Sequence, residues 1–257
     1  MSIEDLFKKV EEVNNEKIIK KLNCEELLQE FIKWYEKNYY FHSIGCDGKL
    51  EYFHSVFQFL KSYEMAPVLI SNFYQKIKKI KERKESLGLF LSAMIQTSYD
   101  QGWNNFTFDK IEADCFGAFL KGLDKKRLIL NVGKINGNLA FFYSDYCEFT
   151  AKEICGMDTM TNSTRTKLKV ENLSGNFNFW GVEECDIEID VLEGRFNLGH
   201  AKKCNVFIHN LGYSQNNVQY FFIPQHCIFI SQNENTLKII EEQTKNKTNK
   251  YILKKGC

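Results

Sequence analysis

Cys185-Asp186-Ile187-Glu188-Ile189-Asp190 and, about 19 residues later, Cys204-Asn205-Val206-Phe207-Ile208-His209 decide how this chain is built. In both stretches apolar side chains take every second place, the pattern of a strand with one face turned inward and one outward. The spacing recurs on either side. Residues 137–212 divide into four rows headed by Gly137, Gly156, Gly175 and Gly194.

Below those glycines run columns of like residues: Phe141, Met160, Phe179, Leu198; Cys147, Thr166, Cys185, Cys204; Phe149, Leu168, Ile187, Val206; Ala151, Val170, Ile189, Ile208; and Ile154, Leu173, Leu192, Leu211. Self-similarity at this period predicts a solenoid in which each repeat is one coil and neighbouring coils share a core. Parallel coils stack about 4.8 Å apart, so outward columns test the alignment independently. Opposite charges meet in them: Glu148 over Lys167 over Asp186, Lys169 over Glu188, Lys152 over Glu171, Glu183 over Lys202 and Glu184 over Lys203. The recurring glycine predicts a corner needing positive φ or close backbone approach.

At the edges of the array the spacing loosens. The stretch Phe106 to Cys115 resembles the one ending in Cys185 with one insertion, so coiling is expected to begin near residue 104. Leu128, Leu130, Val132 and Ile135 are in phase but irregularly spaced. About four residues are inserted after Leu211 before Cys227, Phe229 and Ser231 rejoin the columns. Residues 235–245 read as a helix capping the open end, and the lysines after them, Lys245 to Lys255, as a frayed tail.

Up to about residue 98 the period is helical. One stripe runs Ile3, Leu6, Val10, Val13 and on to Leu22; a second, capped by Asn23, carries Leu27, Leu28, Phe31, Ile32 and Tyr35. After a turn at residues 44–48 a third helix carries Tyr52, Phe53, Val56, Phe57 and Leu60. Pro67 opens a fourth that runs to about Lys84, and Leu87 to Ile95 forms a fifth. The fold class is α+β: a small helical domain over 1–98, a parallel β-solenoid over 99–232, and a capping helix with a basic tail over 233–257.

This repeat pattern resembles right-handed parallel β-helices in general, over about half of the chain. Such folds host polysaccharide lyases and hydrolases, cofactor domains of the cytoskeleton and filament-forming scaffolds, so the resemblance implies right-handed coils and several functions at once.

Charge and composition narrow the classes. With 34 Lys+Arg against 33 Asp+Glu the formal charge is +1, so bulk attraction to nucleic acid or anionic membrane is not expected. No apolar run reaches the roughly 18 residues of a membrane span, and Met1 to Val10 is too charged for a secretory signal. The sequons at Asn105, Asn162, Asn172 and Asn246 therefore carry no weight. The 9 cysteines contain no C-x-x-C pair, which points to reduced, buried thiols in a cytoplasmic protein. There is no G-x-S-x-G, Walker A, G-x-G-x-x-G or H-E-x-x-H motif, which removes most nucleotide-dependent, serine-hydrolase and zincin chemistry.

Glycosidic cleavage needs paired carboxylates, or a base and an acid, on an open face. Glu188, Asp190 and His209 are such a set: the two acids share one strand face with Asp186, and His209 lies one coil below Asp190. A solvated, salt-bridged face explains the same residues more simply. Asn178 and Asn197, with Asn176 and Trp180 near them, could bind a sugar or stack their amides at a corner; Phe207 is outward and marks a contact surface. His42, Cys46, Asp47 and His54 are ligand types whose spacing fits no metal motif, and the stacked cysteines read as compact core residues. No metal site and no cofactor is predicted. The run Lys76 to Lys84 reads as the solvated face of helix four rather than a phosphate-binding helix. The function expected is a non-enzymatic scaffold or binding module for a protein partner, self-associating through its helices. The alternative is a carbohydrate-active or glycan-binding protein using Glu188, Asp190 and His209.

Overall fold

Helical periodicity in the first third closes into α1 (Cys24–Asn38), α2 (Cys46–Leu60), α3 (Pro67–Ile77) and α4 (Lys84–Asp100). The computed structural model describes residues 24–38, 46–78, 84–212 and 224–254, with the backbone alone at 24 and 176–178. The stripe from Ile3 to Leu22, the cap at Asn23 and His42 lie outside those residues.

α1 buries Leu27, Leu28, Phe31 and Tyr35, the expected i, i+4 stripe, and α2 buries Tyr52, Phe53, Val56, Phe57 and Leu60. The expected turn is corrected in part, because Cys46, Asp47 and Gly48 form the first turn of α2, where Asp47 complements the helix dipole. α3 opens on Pro67 and ends at Ile77, short of the expected Lys84, which instead begins α4.

α4 runs beyond its expected bounds of Leu87 to Ile95 at both ends, and every residue from Leu87 to Tyr99 is buried. Two of its polar side chains, Ser92 and Gln96, bond the next segment's backbone. Ser92 Oγ donates to the Gly88 carbonyl at 2.7 Å and accepts from the Gly117 N–H at 2.9 Å. Gln96 takes both the N–H (2.8 Å) and the carbonyl (3.1 Å) of Lys121. At Gly88 a Cβ would lie 1.8 Å from the Asp114 carbonyl oxygen, so this approach needs glycine. The Tyr74 hydroxyl accepts from Glu112 N–H at 2.8 Å, and Phe53 meets Phe119 at 5.5 Å. The helices thus cover the first coil, and a single apolar cluster runs from Leu27 to Ile240.

Eight strands follow in one parallel sheet whose order is the chain order: β1 (Asn105–Ile111), β2 (Leu128–Asn136), β3 (Cys147–Met157), β4 (Lys167–Asn178), β5 (Asp186–Asn197), β6 (Asn205–Leu211), β7 (Ile228–Ser231) and β8 (Lys250–Leu253). The register is the one read from the columns: Phe149 faces Leu168, Leu168 faces Ile187, and Ile187 faces Val206. Their side chains are buried at the solenoid axis. Each ladder skips one column, in which Gly133, Lys152, Glu171, Asp190 and His209 stand. There the inward spacing widens from two residues to three, as from Ile189 to Leu192, so the strand turns a corner. Asp186 and Glu188 therefore share a flat face, and Asp190 sits at its edge rather than on it.

The glycine column does both things expected of it. Gly194 has φ 102°, and a Cβ there would lie 2.0 Å from the Gly175 carbonyl oxygen. The cysteine column does more than fill space. Cys147, Cys185, Cys204 and Cys227 each donate Sγ–H to the carbonyl two residues earlier, at 3.2–3.5 Å, and Thr166 Oγ1 does the same at 2.9 Å. The residue between donor and acceptor is left-handed in every coil: Tyr146, Arg165, Glu184, Lys203 and His226, with φ from 47° to 55°. The hydrogen bond closes this tight turn, which explains why Thr166 can stand among cysteines.

Coiling begins with β1, as expected, but the alignment of Phe106–Cys115 is corrected. Phe106 faces Leu130, and so falls in the column of Phe149, Leu168 and Ile187. Alternation alone does not say which half of a coil a strand belongs to. The irregular spacing ahead of β2 comes from a turn in which Leu123 and Lys126 exchange N–H···O bonds of 3.1 and 3.0 Å. At the far end Phe229 faces Val206 as expected, and α5 (Glu234–Thr244) is capped by Asn233, whose side chain accepts from Thr236 N–H at 3.2 Å. The frayed tail is corrected: Lys250–Leu253 form β8 beside β7, with Tyr251 stacked 5.7 Å from Phe229. Among the described residues no helix is long and apolar enough to cross a membrane.

Candidate functional site

Outward columns of β4, β5 and β6 carry the candidate residues. On the flat face Asp186 accepts from the Asn205 amide at 2.7 Å and lies 4.0 Å from Lys167 Nζ. One position along, Lys169 Nζ is 2.8 Å from Glu188 Oε1. The Lys169 ammonium, through that hydrogen bond, holds the Glu188 carboxyl below the usual carboxylate range despite partial burial, and Glu188 in turn raises Lys169. Both side chains are well exposed, so the pair contributes little to stability. The expected pair of Lys203 with Glu184 also forms, at 3.0 Å.

Where the strand turns, the site gathers. His209 Nε2 lies 3.4 Å from Asp190 Oδ1 and 3.6 Å from Glu188 Oε1. Its imidazole stacks on Phe207 with centroids 4.0 Å apart and planes 26° from parallel. Lys254 Nζ approaches the Phe207 ring, 5.6 Å from its centroid. The Nε2 atom is shielded from solvent and meets the two carboxylates only at these long separations. Glu188, Asp190 and His209 are the group of ligand-type residues whose donor atoms all lie within 4.8 Å of one another among the described residues.

No family model, curated protein or solved structure matches the chain. A carboxylate held ionised by a lysine suits a base, a nucleophile or a cation ligand, and is the wrong shift for a general acid, which needs a raised pKa.

The remaining sequence candidates are placed elsewhere or tied down. Asn197 Oδ1 accepts from Gly199 N–H at 2.8 Å, a local turn bond. Trp180 packs over Gly199, where a Cβ would fall 2.4 Å from the indole, and meets His200 edge-on at 4.4 Å. The side chains of Asn176 and Asn178 lie outside the described residues. His54 Nε2 contacts Gln58 on its own helix at 3.3 Å. Of the basic run, residues 79–83 lie outside the described residues; α3 ends at Ile77, α4 starts at Lys84, and Lys76 pairs with Glu25 at 2.7 Å.

Sequence reasoning missed the contact of Lys254 with Phe207, which depends on β8, and the stack of Phe207 on His209. The alternation of Phe207 and His209 on one outward face was the signal available for the second.

Proposed function

We propose that this chain is a non-enzymatic β-solenoid scaffold or binding module, presenting the outward face of its parallel sheet to a protein partner and self-associating through its helices. What supports the reading is the economy of the repeat. Inward columns serve packing and turn closure, and outward columns such as Lys167/Asp186 and Lys169/Glu188 form cross-coil pairs. The same reading puts the chain in a reducing, cytoplasmic setting. Its support is that the ladder thiols act as hydrogen-bond donors, a role they have only when reduced. Static light scattering at micromolar concentration tests self-association: a dimer or larger species is expected, and a monomer contradicts that part.

One observation favours the carbohydrate-active alternative, the convergence of Glu188, Asp190 and His209 at one edge of an open face. There Glu188 would act as base or nucleophile. Glu188→Gln with Asp190→Asn would then abolish turnover of a polysaccharide without changing the melt; undiminished turnover ends the alternative.

A further inference from the structure

We propose that Glu188, Asp190 and His209 bind a divalent first-row metal ion of the zinc class, one imidazole nitrogen and two carboxylate oxygens serving as ligands. The inference stands apart from the scaffold reading, since it holds whether or not the sheet face takes a protein.

The spacing is the first argument. Zinc bonds of about 2.1 Å to nitrogen and oxygen, opened to a tetrahedral angle, place two ligand atoms about 3.4 Å apart. His209 Nε2 stands 3.4 Å from Asp190 Oδ1 and 3.6 Å from Glu188 Oε1. The same separations are long for hydrogen bonds, and Nε2, an atom shielded from water, has only these two loose carboxylate contacts. A shielded polar atom that is poorly satisfied is costly, and a metal–nitrogen bond removes that cost.

Orientation is the second argument. Phe207 stacks on the imidazole at 4.0 Å and holds the ring so that Nε2 points up the coil at both acids. The ligands come from adjacent strands in fixed register, Glu188 opposite Phe207. A site on paired strands is set before any ion arrives, which limits the ordering required on binding.

Charge and ligand type select the ion. Two carboxylates against the Lys169 ammonium leave one negative charge when the imidazole is neutral. An imidazole with two carboxylates suits zinc and its first-row neighbours; calcium takes six to eight oxygens at longer distances and has no use for the nitrogen. Lys169, bonded to Glu188 at 2.8 Å, competes with the ion for that oxygen and is exposed enough to swing away.

Cobalt(II) is the probe, because its spectrum separates nitrogen and oxygen ligands from the chain's thiolates; zinc affinity is then measured by calorimetry on the full chain. One equivalent of cobalt with weak d–d bands and no thiolate charge-transfer band is expected. His209→Ala should weaken zinc binding by about 100-fold or more with an unchanged melt, and Lys169→Met should tighten it. A thiolate band, no binding, or binding retained in His209→Ala overturns the proposal.

Discussion

The thiol of Cys204 donates to the carbonyl oxygen of Lys202 at 3.2 Å across Lys203, a left-handed residue with φ 53°. This contact repeats down the solenoid and turns a column of cysteines into a column of turn-closing donors. Cys204→Val keeps the volume and loses the donor, so it should destabilise by about 1 kcal/mol. Cys204→Thr keeps a donor, as Thr166 does two coils away, and should cost much less. Urea denaturation of the two variants checks the difference; equal losses would mean that the column is packing alone.

Reactivity follows from the same burial. Desolvation raises the Cys115 and Cys147 thiols, and the thiol neighbour Cys185 pushes Cys204 up to about 12. Cys46 is exposed. A thiol reagent at pH 8 should label Cys46 in the folded chain and reach Cys115, Cys147 and Cys204 only on unfolding. Mass-mapped labelling decides it.

Inward and outward neighbours on β5 should differ sharply. Ile187→Ala empties a fully buried site and is expected to cost about 3 kcal/mol, whereas Asp186→Ala should change stability by less than about 0.5 kcal/mol. Gly194→Ala adds a Cβ at 2.0 Å from a backbone oxygen in a left-handed conformation, and should cost more than about 2 kcal/mol. Thermal melts of the three variants rank these effects.

Much of this was legible because the chain repeats. Ile187 and Ile189 announce the inward face, but alternation puts Asp190 on the same face as Asp186 and Glu188, and only the skipped ladder position shows the corner there. The left-handed turn was not legible, since Tyr146, Arg165, Glu184, Lys203 and His226 share no side-chain type and none is glycine. β8 was hidden by length: four residues flanked by lysines read as a tail until Tyr251 finds Phe229. The all-round burial of α4 was not legible, because the partners of Ser92 and Gln96 are backbone groups of the first coil. At the site, His209 below Asp190 follows from the register; its reach to Glu188 follows from the corner and from Phe207.

The Glu188 carboxyl is held below its ordinary value of 4.5, chiefly by Lys169. A depressed folded-state pKa adds stability that is in place above the unfolded value and lost as pH falls through the folded one. The Lys169 pair should therefore persist from neutral pH to about 4.5 and open below it. A carbon-detected NMR titration should place Glu188 below ordinary glutamates, and Lys169→Met should move it upward; no movement would remove Lys169 as the cause.

The scaffold reading meets its most direct test in a thermal-shift screen of the purified chain against oligosaccharides, polysaccharide fragments and nucleotides, since a ligand that binds the folded state raises the melting temperature by mass action. The account predicts no shift with any of them. A reproducible shift with a sugar, lost when Glu188→Gln and Asp190→Asn are combined, would contradict it and make the chain a carbohydrate-active protein.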